Sequence, residues 1–269
     1  MNLMLHGIGS DKDVPLTVAD ALASDPGTRF NIIMTNPPFG KKSSTTIVGE
    51  NGKASKEKET YERDGFFTTS NKQLNFVQHV KSILAVNGRA AIVVPDNVLF
   101  EGGAGETIRR NLLKECDVHT LLRLPTGLFY AQGVKANVLF FDKKPGAEKS
   151  WTERLWVYDL RTNKHFTLKT NPLKRSDLDE FVKCYNPKNR HERLPTWSEN
   201  NPEGRWRDYD YETLINRDKA SLDLFWLKDD SLEDSENLPE PDVLAQEIVE
   251  DLEAALVQFK EIAGDLNGD

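Results

Sequence analysis

Residues 30–40 read FNIIMTNPPFG, a short apolar run that ends in an asparagine, two prolines and a phenylalanine. Short apolar runs bounded by Gly, Pro, Asn or Asp are typical of strands buried on both faces of a parallel sheet. Three further runs have this form: GRAAIVVP (88–95), VHTLLRLP (118–125) and ANVLFFDK (136–143). Residues 71–88, with a helix stop at Asn87-Gly88, and residues 105–117 place apolar side chains at helical spacing. This order of strands and helices predicts an α/β fold.

The composition is that of a globular protein, with 38% hydrophobic and 29% charged residues in 269. No apolar run approaches the roughly 18 residues that span a membrane, and the first residues lack the form of a secretory signal. The cysteines, Cys116 and Cys184, are too few for a disulfide framework, and the histidines show no metal-ligand spacing. We therefore expect a cytoplasmic protein without a membrane contact or a metal site.

The formal net charge of −8 argues against a protein that binds nucleic acid without a partner, because domains that bind by neutralising phosphates are usually basic. It leaves open a subunit that reaches DNA through a partner. The charge therefore indicates either a subunit of a DNA-binding complex or a protein that does not bind DNA.

Two regions fall outside the strand and helix pattern. Residues 40–70 have no period, which predicts a long loop that is either solvated or a flexible cover touching phosphates near an active site. The loop contains five lysines: Lys41, Lys42, Lys53, Lys56 and Lys58. Residues 150–230 are rich in aromatic side chains, which favours a satellite core over a base-stacking surface.

The C-terminal residues predict a contact helix. An acidic, Pro-containing linker covers residues 229–242, and the apolar residues that follow repeat at steps of three and four. They are Leu244, Ile248, Leu252, Ala255, Phe259, Ile262 and Leu266. Such a seam packs either against another subunit or back on its own chain.

The strongest chemical signal is the NPPF segment, Asn36, Pro37, Pro38 and Phe39, which follows a predicted strand. Ligands of open α/β sheets bind outside the carboxyl ends of strands. An exocyclic base amine is a poor nucleophile, and two acceptors on its N–H bonds free its lone pair. The Asn36 side-chain oxygen and the Pro37 carbonyl are the predicted acceptors, the prolines stiffen the backbone, and Phe39 offers a stacking face. A base reached in this way must leave the duplex.

With these residues in place, the chain resembles the modification subunit of type I restriction–modification systems, in the gamma group of amino-methyltransferases. The matching stretches are NLMLHGI (2–8), VADALASDP (18–26), FNIIMTNPPFG (30–40), TSNKQLNFVQHV (69–80), GRAAIVVPDNVLFEGGAGETIRRNLL (88–113), VHTLLRLPTGLFYAQGVKANVLFFDK (118–143), WVYDLRT (156–162), NPLKRSDLDEFVKCY (171–185) and SLDLFWL (221–227).

The resemblance implies an N6-adenine DNA methyltransferase that uses S-adenosylmethionine. Asn36, Pro37, Pro38 and Phe39 match the family's catalytic motif, and Asp20 matches the acidic position that usually contacts the cofactor's adenine. It also implies a DNA-specificity (S) subunit as partner, with a restriction (R) subunit joining for cleavage. A loop carboxylate or helix cap is the alternative role for Asp20.

The family's glycine-rich cofactor loop is expected before residue 1, so we expect a chain cut off at its front end. Residues 102–106 (GGAGE) open a helix after a late strand and are interpreted as a loop, because isolated Gly-rich turns are weak signals. This chain alone is accordingly expected to bind S-adenosylmethionine weakly or not at all, and to be inactive alone.

The predicted architecture is a partial Rossmann-like methyltransferase sheet with flanking helices, a small mixed region and a long C-terminal helix. The expected boundaries are 1–145 for the C-terminal part of the methyltransferase domain, 146–230 for an α+β extension and 231–269 for the linker and contact helix. Two alternatives stay open: a protein-glutamine amino-methyltransferase, and a non-catalytic fragment that acts in subunit assembly.

Overall fold

The computed structural model describes residues 6–9, 15–39, 44–48, 54–58, 61, 63–129, 134–164, 166–168 and 171–229. The strands of this part are β1 (Phe30–Thr35), β2 (Ser44–Val48), β3 (Ala54–Lys58), β4 (Leu84–Pro95), β5 (Cys116–Arg123), β6 (Ala136–Lys143), β7 (Arg154–Asp159) and β8 (Trp206–Asp210). Its α-helices are α1 (Lys72–Ile83), α2 (Asp96–Phe100), α3 (Ala104–Glu115), α4 (Asp179–Tyr185) and α5 (Tyr211–Ile215). Short 3₁₀ helices lie at Arg175–Leu178, Arg190–Glu192 and Asp218–Ala220.

Six strands form one sheet in the order β1-β4-β6-β5-β7-β8. β1 pairs with β4 and β5 pairs with β7 in parallel, whereas β6 is antiparallel to both β4 and β5, and β8 is antiparallel to β7. The α/β fold class is confirmed, but the expectation of a parallel sheet is wrong for β6. A parallel return needs a crossover of a dozen or more residues, usually a helix. Residues 124–135 lack an apolar helical pattern, so the chain returns antiparallel.

The strand β1 also differs from the expectation of burial on both faces. It lies at one end of the described sheet, and Phe30, Ile32 and Met34 are exposed. The apolar run therefore predicts the strand correctly, and the exposure of its side chains follows from its place at the edge of the described sheet.

The helix predicted over 71–88 ends earlier, because β4 already begins at Leu84. Asn87 takes a positive φ of 64° inside this strand, and the pairing of β1 with β4 shifts register between Phe30 and Ile32. Asparagine tolerates this left-handed conformation better than most residues. Asn87-Gly88 therefore marks an irregularity within a strand and not the end of the helix.

Part of the region predicted as a loop, residues 40–70, is also regular. β2 and β3 pair antiparallel, with Ser44 opposite Lys58 and Val48 opposite Ala54. Residues 44–48 read STTIV, and β-branched residues favour extended backbone. The sequence did not predict this pair of strands, because residues 40–70 have no sustained hydrophobic periodicity.

The core consists of two clusters of buried side chains. The larger cluster packs α1 and α3 against the sheet. Leu74 of α1, Leu113 of α3 and Val118 of β5 are each at most 1% exposed. Burying a side chain of this size stabilises the fold by about 1.5–3 kcal/mol. Asn71 caps the N-terminus of α1, because its side chain accepts hydrogen bonds from the amides of Gln73 and Leu74.

The second cluster is aromatic and confirms the satellite core predicted for residues 150–230. The rings of Trp156 and Trp206 stack with centroids 5.3 Å apart, and Tyr158 and Phe181 pack edge to face at 5.5 Å. The rings are thus used in packing. The predicted C-terminal helix lies outside the described residues, and no described helix is long and apolar enough to cross a membrane.

Candidate active site

Polar residues collect at one edge of the sheet. Strands β1, β4, β5 and β7 run in one direction and end there, and the opposite strand β6 begins there. Pro95 at the end of β4 is paired with Ala136, and Arg123 at the end of β5 is paired with Asn137 and Asp159. This edge is where open α/β sheets bind ligands.

The NPPF segment follows β1 directly at this edge. Asn36 and Pro38 are exposed, Pro37 is buried and Phe39 is half-buried. The Phe39 ring packs against Phe129, with centroids 5.4 Å apart and an angle of 58° between the planes. The segment is thus anchored at Pro37 and Phe39 and presents the Asn36 side chain to solvent, as an acceptor for a substrate amine requires.

Asp20 lies in a separate turn, where its side chain is tied to its own backbone. Its Oδ1 accepts a hydrogen bond from the Leu22 amide at 2.9 Å, and its carbonyl accepts one from the Ala23 amide at 3.2 Å. Leu22 is only 1% exposed and anchors the turn, while Asp20 itself is exposed. In the part of the chain that the structure describes, no hydrogen bond links Asp20 to the NPPF segment.

The structure adds a partly buried ion pair that the sequence did not indicate. Arg161, just beyond β7, pairs with both carboxylate oxygens of Asp96 at 2.8 and 2.9 Å, and Asn137 Nδ2 donates to Asp96 Oδ1 at 2.8 Å. Burial alone would raise the pKa of Asp96, but the hydrogen bonds from Arg161 and Asn137 outweigh it, so the pKa is lowered. Asp96 is therefore a fixed anion and not a proton donor. The available signal was a carboxylate directly after a buried strand.

Arg123 is a second cation at this edge and is fully buried. Its Nη1 donates to the Leu224 carbonyl, its Nη2 lies 3.2 Å from Asp223 Oδ1, and its guanidinium carbon lies 3.9 Å from the Phe225 ring centroid. The contact with Asp223 is an ion pair without hydrogen-bond geometry, because neither atom has a hydrogen-bond partner. Burial, and then Arg161, lower the pKa of Arg123. Residues 221–226 therefore cover the end of β5.

A third polar group joins the start of α1 to α2. Asn71 Nδ2 donates to Glu101 Oε2 at 2.7 Å, and Asn97 Nδ2 donates to Glu101 Oε2 at 3.2 Å and to Gln73 Oε1 at 3.1 Å. These side chains satisfy one another, which fixes α2 directly after β4.

The other candidate nucleophiles and bases have structural surroundings. His79 is buried beside Arg63, and His119 is buried beside Asp142 and Tyr185. Burial also raises the pKa of the Cys116 thiol to about 12, so little thiolate forms near neutral pH. Within the described ranges, no cluster of three or more His, Cys, Asp or Glu side chains could hold a metal ion.

The N-6 DNA methylase family matches residues 1–222 of this chain. The type I restriction enzyme EcoKI methylase subunit of Escherichia coli (strain K12) is 40% identical over 296 residues, covering 99% of this chain and 53% of that protein. The StySJI methylase subunit of Salmonella typhimurium (strain LT2) has the same identity and coverage.

A solved structure has the same fold. The crystal structure of the type I restriction enzyme EcoKI M protein matches with a TM-score of 0.69 at 38% identity, covering 100% of this chain and 57% of that chain. The chain thus spans about half the length of the relatives that it matches. The family predicted from the NPPF segment and its context is confirmed.

Proposed function

Because this chain belongs to the N-6 DNA methylase family, we propose that it holds the target adenine of a DNA N6-adenine methyltransferase, as part of the modification subunit of a type I restriction–modification complex. One observation carries the proposal: the NPPF segment follows β1 at the carboxyl edge of the sheet, with Asn36 exposed and Phe39 backed by Phe129. An exposed acceptor beside an aromatic face is what an extruded adenine needs.

The proposed role of this segment is to orient the adenine amine. The Asn36 side-chain oxygen and the Pro37 carbonyl accept hydrogen bonds from the two N–H bonds of N6. These bonds favour a pyramidal nitrogen whose lone pair is available for attack. Phe39 stacks on the base, so the rate gain comes from positioning and fixed dipoles.

S-adenosylmethionine, the methyl donor that the family implies, fits the described residues only in part. Asp20 is exposed and matches the position proposed for the donor's adenine, although one carboxylate oxygen already accepts the Leu22 amide. Gly102 is not open to a ligand, because the Lys219 side chain lies against it.

The proposal extends to partners and domains. The EcoKI and StySJI relatives are named as methylase subunits of type I restriction enzymes, so we expect a DNA-specificity subunit and a restriction subunit as partners. An enzyme that modifies the chromosome of a bacterium works in the cytoplasm. The proposed boundaries remain 1–145, 146–230 and 231–269, with the last segment serving the subunit contact.

Replacing Asn36 by Ala tests the proposal. In a modification complex reconstituted from this chain together with the donor-binding part of the methylase subunit, hereafter the reconstituted complex, N36A should abolish methyl transfer to unmethylated genomic DNA, because one acceptor for the amine is lost. The readout is tritium incorporated from labelled S-adenosylmethionine. Asn200→Ala, an exposed asparagine in a distant turn, is the matched control and should retain full activity. Full activity of N36A would refute the assigned role.

The donor site gives a second prediction. Titration calorimetry of this chain with S-adenosylmethionine should show weak or no binding, since Asp20 is the described residue that matches a donor contact. The reconstituted complex should bind the donor with a clear heat signal. A micromolar dissociation constant for this chain alone would contradict the prediction and would remove the case for a non-catalytic assembly fragment.

A further inference from the structure

The segment after β7 is built to hold a side chain in place. Asp159 Oδ1 accepts the amides of Arg161 and Thr162 at 2.8 and 2.7 Å, and the Thr162 hydroxyl donates to Asp159 Oδ2 at 2.8 Å. Arg205 Nη1 donates to the carbonyls of Asp159 and Thr162, both at 2.9 Å. The backbone that carries Arg161 is therefore fixed from two sides.

The Arg161 guanidinium closes the base of a loop. Its Nε donates to the Leu124 carbonyl at 2.9 Å and its Nη2 donates to the Ala136 carbonyl at 2.9 Å. Leu124 and Ala136 flank residues 125–135, of which the structure describes 125–129 and 134–135; these described residues are hereafter the 125–135 loop. Leu124 and Ala136 are also joined directly by a 3.0 Å hydrogen bond. One planar side chain thus binds the carbonyls on both sides of the loop.

The same guanidinium ties this loop to the end of β4. Its other contacts are the two oxygens of Asp96 and, at 3.3 Å, Asn137 Oδ1. Asp96 in turn donates its backbone amide to the Lys135 carbonyl at 3.2 Å. Arg161 is 12% exposed, so these contacts are largely shielded from water. A bidentate arginine pair in such surroundings fixes geometry as well as charge.

The loop contacts the NPPF segment through Phe129. Phe129, in the 125–135 loop, is the ring that packs on Phe39, and both rings lie against the aromatic cluster. The segment after Arg161 makes a second contact with the loop at Gly127. Gly127 has a φ of +82°, and a Cβ there would stand 1.9 Å from the Phe166 carbonyl oxygen. Arg161 therefore holds the loop at its base, and Phe166 contacts it at Gly127.

We propose that Arg161 is a positioning residue that sets the 125–135 loop so that Phe129 supports Phe39 against the extruded base. The inference rests on the proposed function, and it assigns part of the target-base site to the region 146–230. Arg161 acts through the loop and through Phe129, and it needs no contact with the base.

Arg161→Lys is the sharpest test, because lysine keeps the charge but cannot bind a carboxylate and two carbonyls with a planar fork. In the reconstituted complex, R161K should lower kcat for DNA methylation by roughly 10- to 100-fold, the scale expected from a small misplacement of a reacting group. KM for DNA should not change. The exposed Arg175→Lys, which alters a surface pair with Asp179, is the matched control and should keep wild-type kcat.

A spectroscopic readout separates positioning from general stability. After the methylated position has been mapped in genomic DNA treated with the wild-type complex, a duplex carrying 2-aminopurine there reports extrusion of the base. R161K should reduce this fluorescence while the melting temperature stays near that of wild type. If R161K does not fold, Phe129→Leu is the deciding variant, because it removes the ring contact with Phe39 and leaves the Arg161 contacts intact. Its control is Phe100→Leu, at a partly exposed ring.

The outcomes are distinct. A lowered kcat with reduced 2-aminopurine signal for R161K, or for F129L where R161K is unfolded, supports the inference. Wild-type kcat and signal in the deciding variant overturn it while leaving the proposed function intact. A wild-type complex that does not methylate DNA overturns the proposed function, and the inference falls with it.

Discussion

At the scale of single residues, the site depends on side chains whose polar partners are far away in sequence. Arg161 binds groups that lie 65, 37 and 25 positions from it, at Asp96, Leu124 and Ala136. Sequence patterns identify Asn36 because strand and motif are contiguous. They cannot identify Arg161, because its role exists only after β4, β5, β6 and β7 have been brought to one edge.

His119 gives a residue-scale prediction about pH. Burial lowers the pKa of His119, and Arg190 lowers it further, while the contacts with Asp142 and Asp117 act in the opposite direction without overcoming burial. Below the unfolded pKa of about 6.5, the unfolded chain takes up the proton more readily than the folded one. The stabilisation by neutral His119 is therefore present above this pH and is lost as the pH falls.

Urea unfolding at about pH 7.5 and at about pH 5.5 measures this effect as a fall in the free energy of unfolding. His79, whose pKa is lowered by burial and by Arg63, acts in the same direction. Asp117, whose pKa burial raises, acts in the opposite direction. His119→Gln should reduce the fall with pH, and the exposed His191→Gln should not change it. An unchanged pH dependence in H119Q would refute the assignment.

At the scale of elements, the 125–135 loop is constrained by one glycine. Gly127→Ala should destabilise the fold by about 1–3 kcal/mol, the usual cost of forcing extra volume into a packed site. The reason is that the new Cβ would collide with the Phe166 carbonyl and the φ of +82° disfavours alanine.

Thermal unfolding of G127A provides the measurement. Gly146→Ala is the matched control, because a Cβ there would meet nothing within 4 Å. G146A should unfold at the wild-type temperature or slightly above it. Equal melting temperatures for G127A and wild type would show that the loop moves freely around Phe166.

The elements themselves were largely predictable. The apolar runs predict the positions of four strands, β1, β4, β5 and β6, and helical spacing predicts α3. The early start of β4 was not predicted, since Asn87-Gly88 has the composition of a helix end and here lies within a strand. The direction of β6 was also missed, because pairing partners are fixed by tertiary contacts and not by the period of one strand.

At the scale of the whole molecule, the acidic charge fits the proposed division of labour. A chain with a net charge of −8 gains little from phosphate contacts of its own, so DNA affinity is expected to come from a partner subunit. The residues proposed to hold the target base, by contrast, are contiguous in the sequence of this chain. The sequence therefore suffices to propose a target-base site, whereas we expect the DNA sequence to be recognised by a partner subunit.

The identity of the methylated atom decides whether this chain serves an adenine N6-methyltransferase. Unmethylated genomic DNA treated with S-adenosylmethionine and the reconstituted complex is digested to nucleosides and analysed by mass spectrometry, and the protein fraction is analysed in parallel. The expected product is N6-methyl-2′-deoxyadenosine. Methyl groups found in cytosine or in protein glutamine, with none on adenine N6, would contradict it.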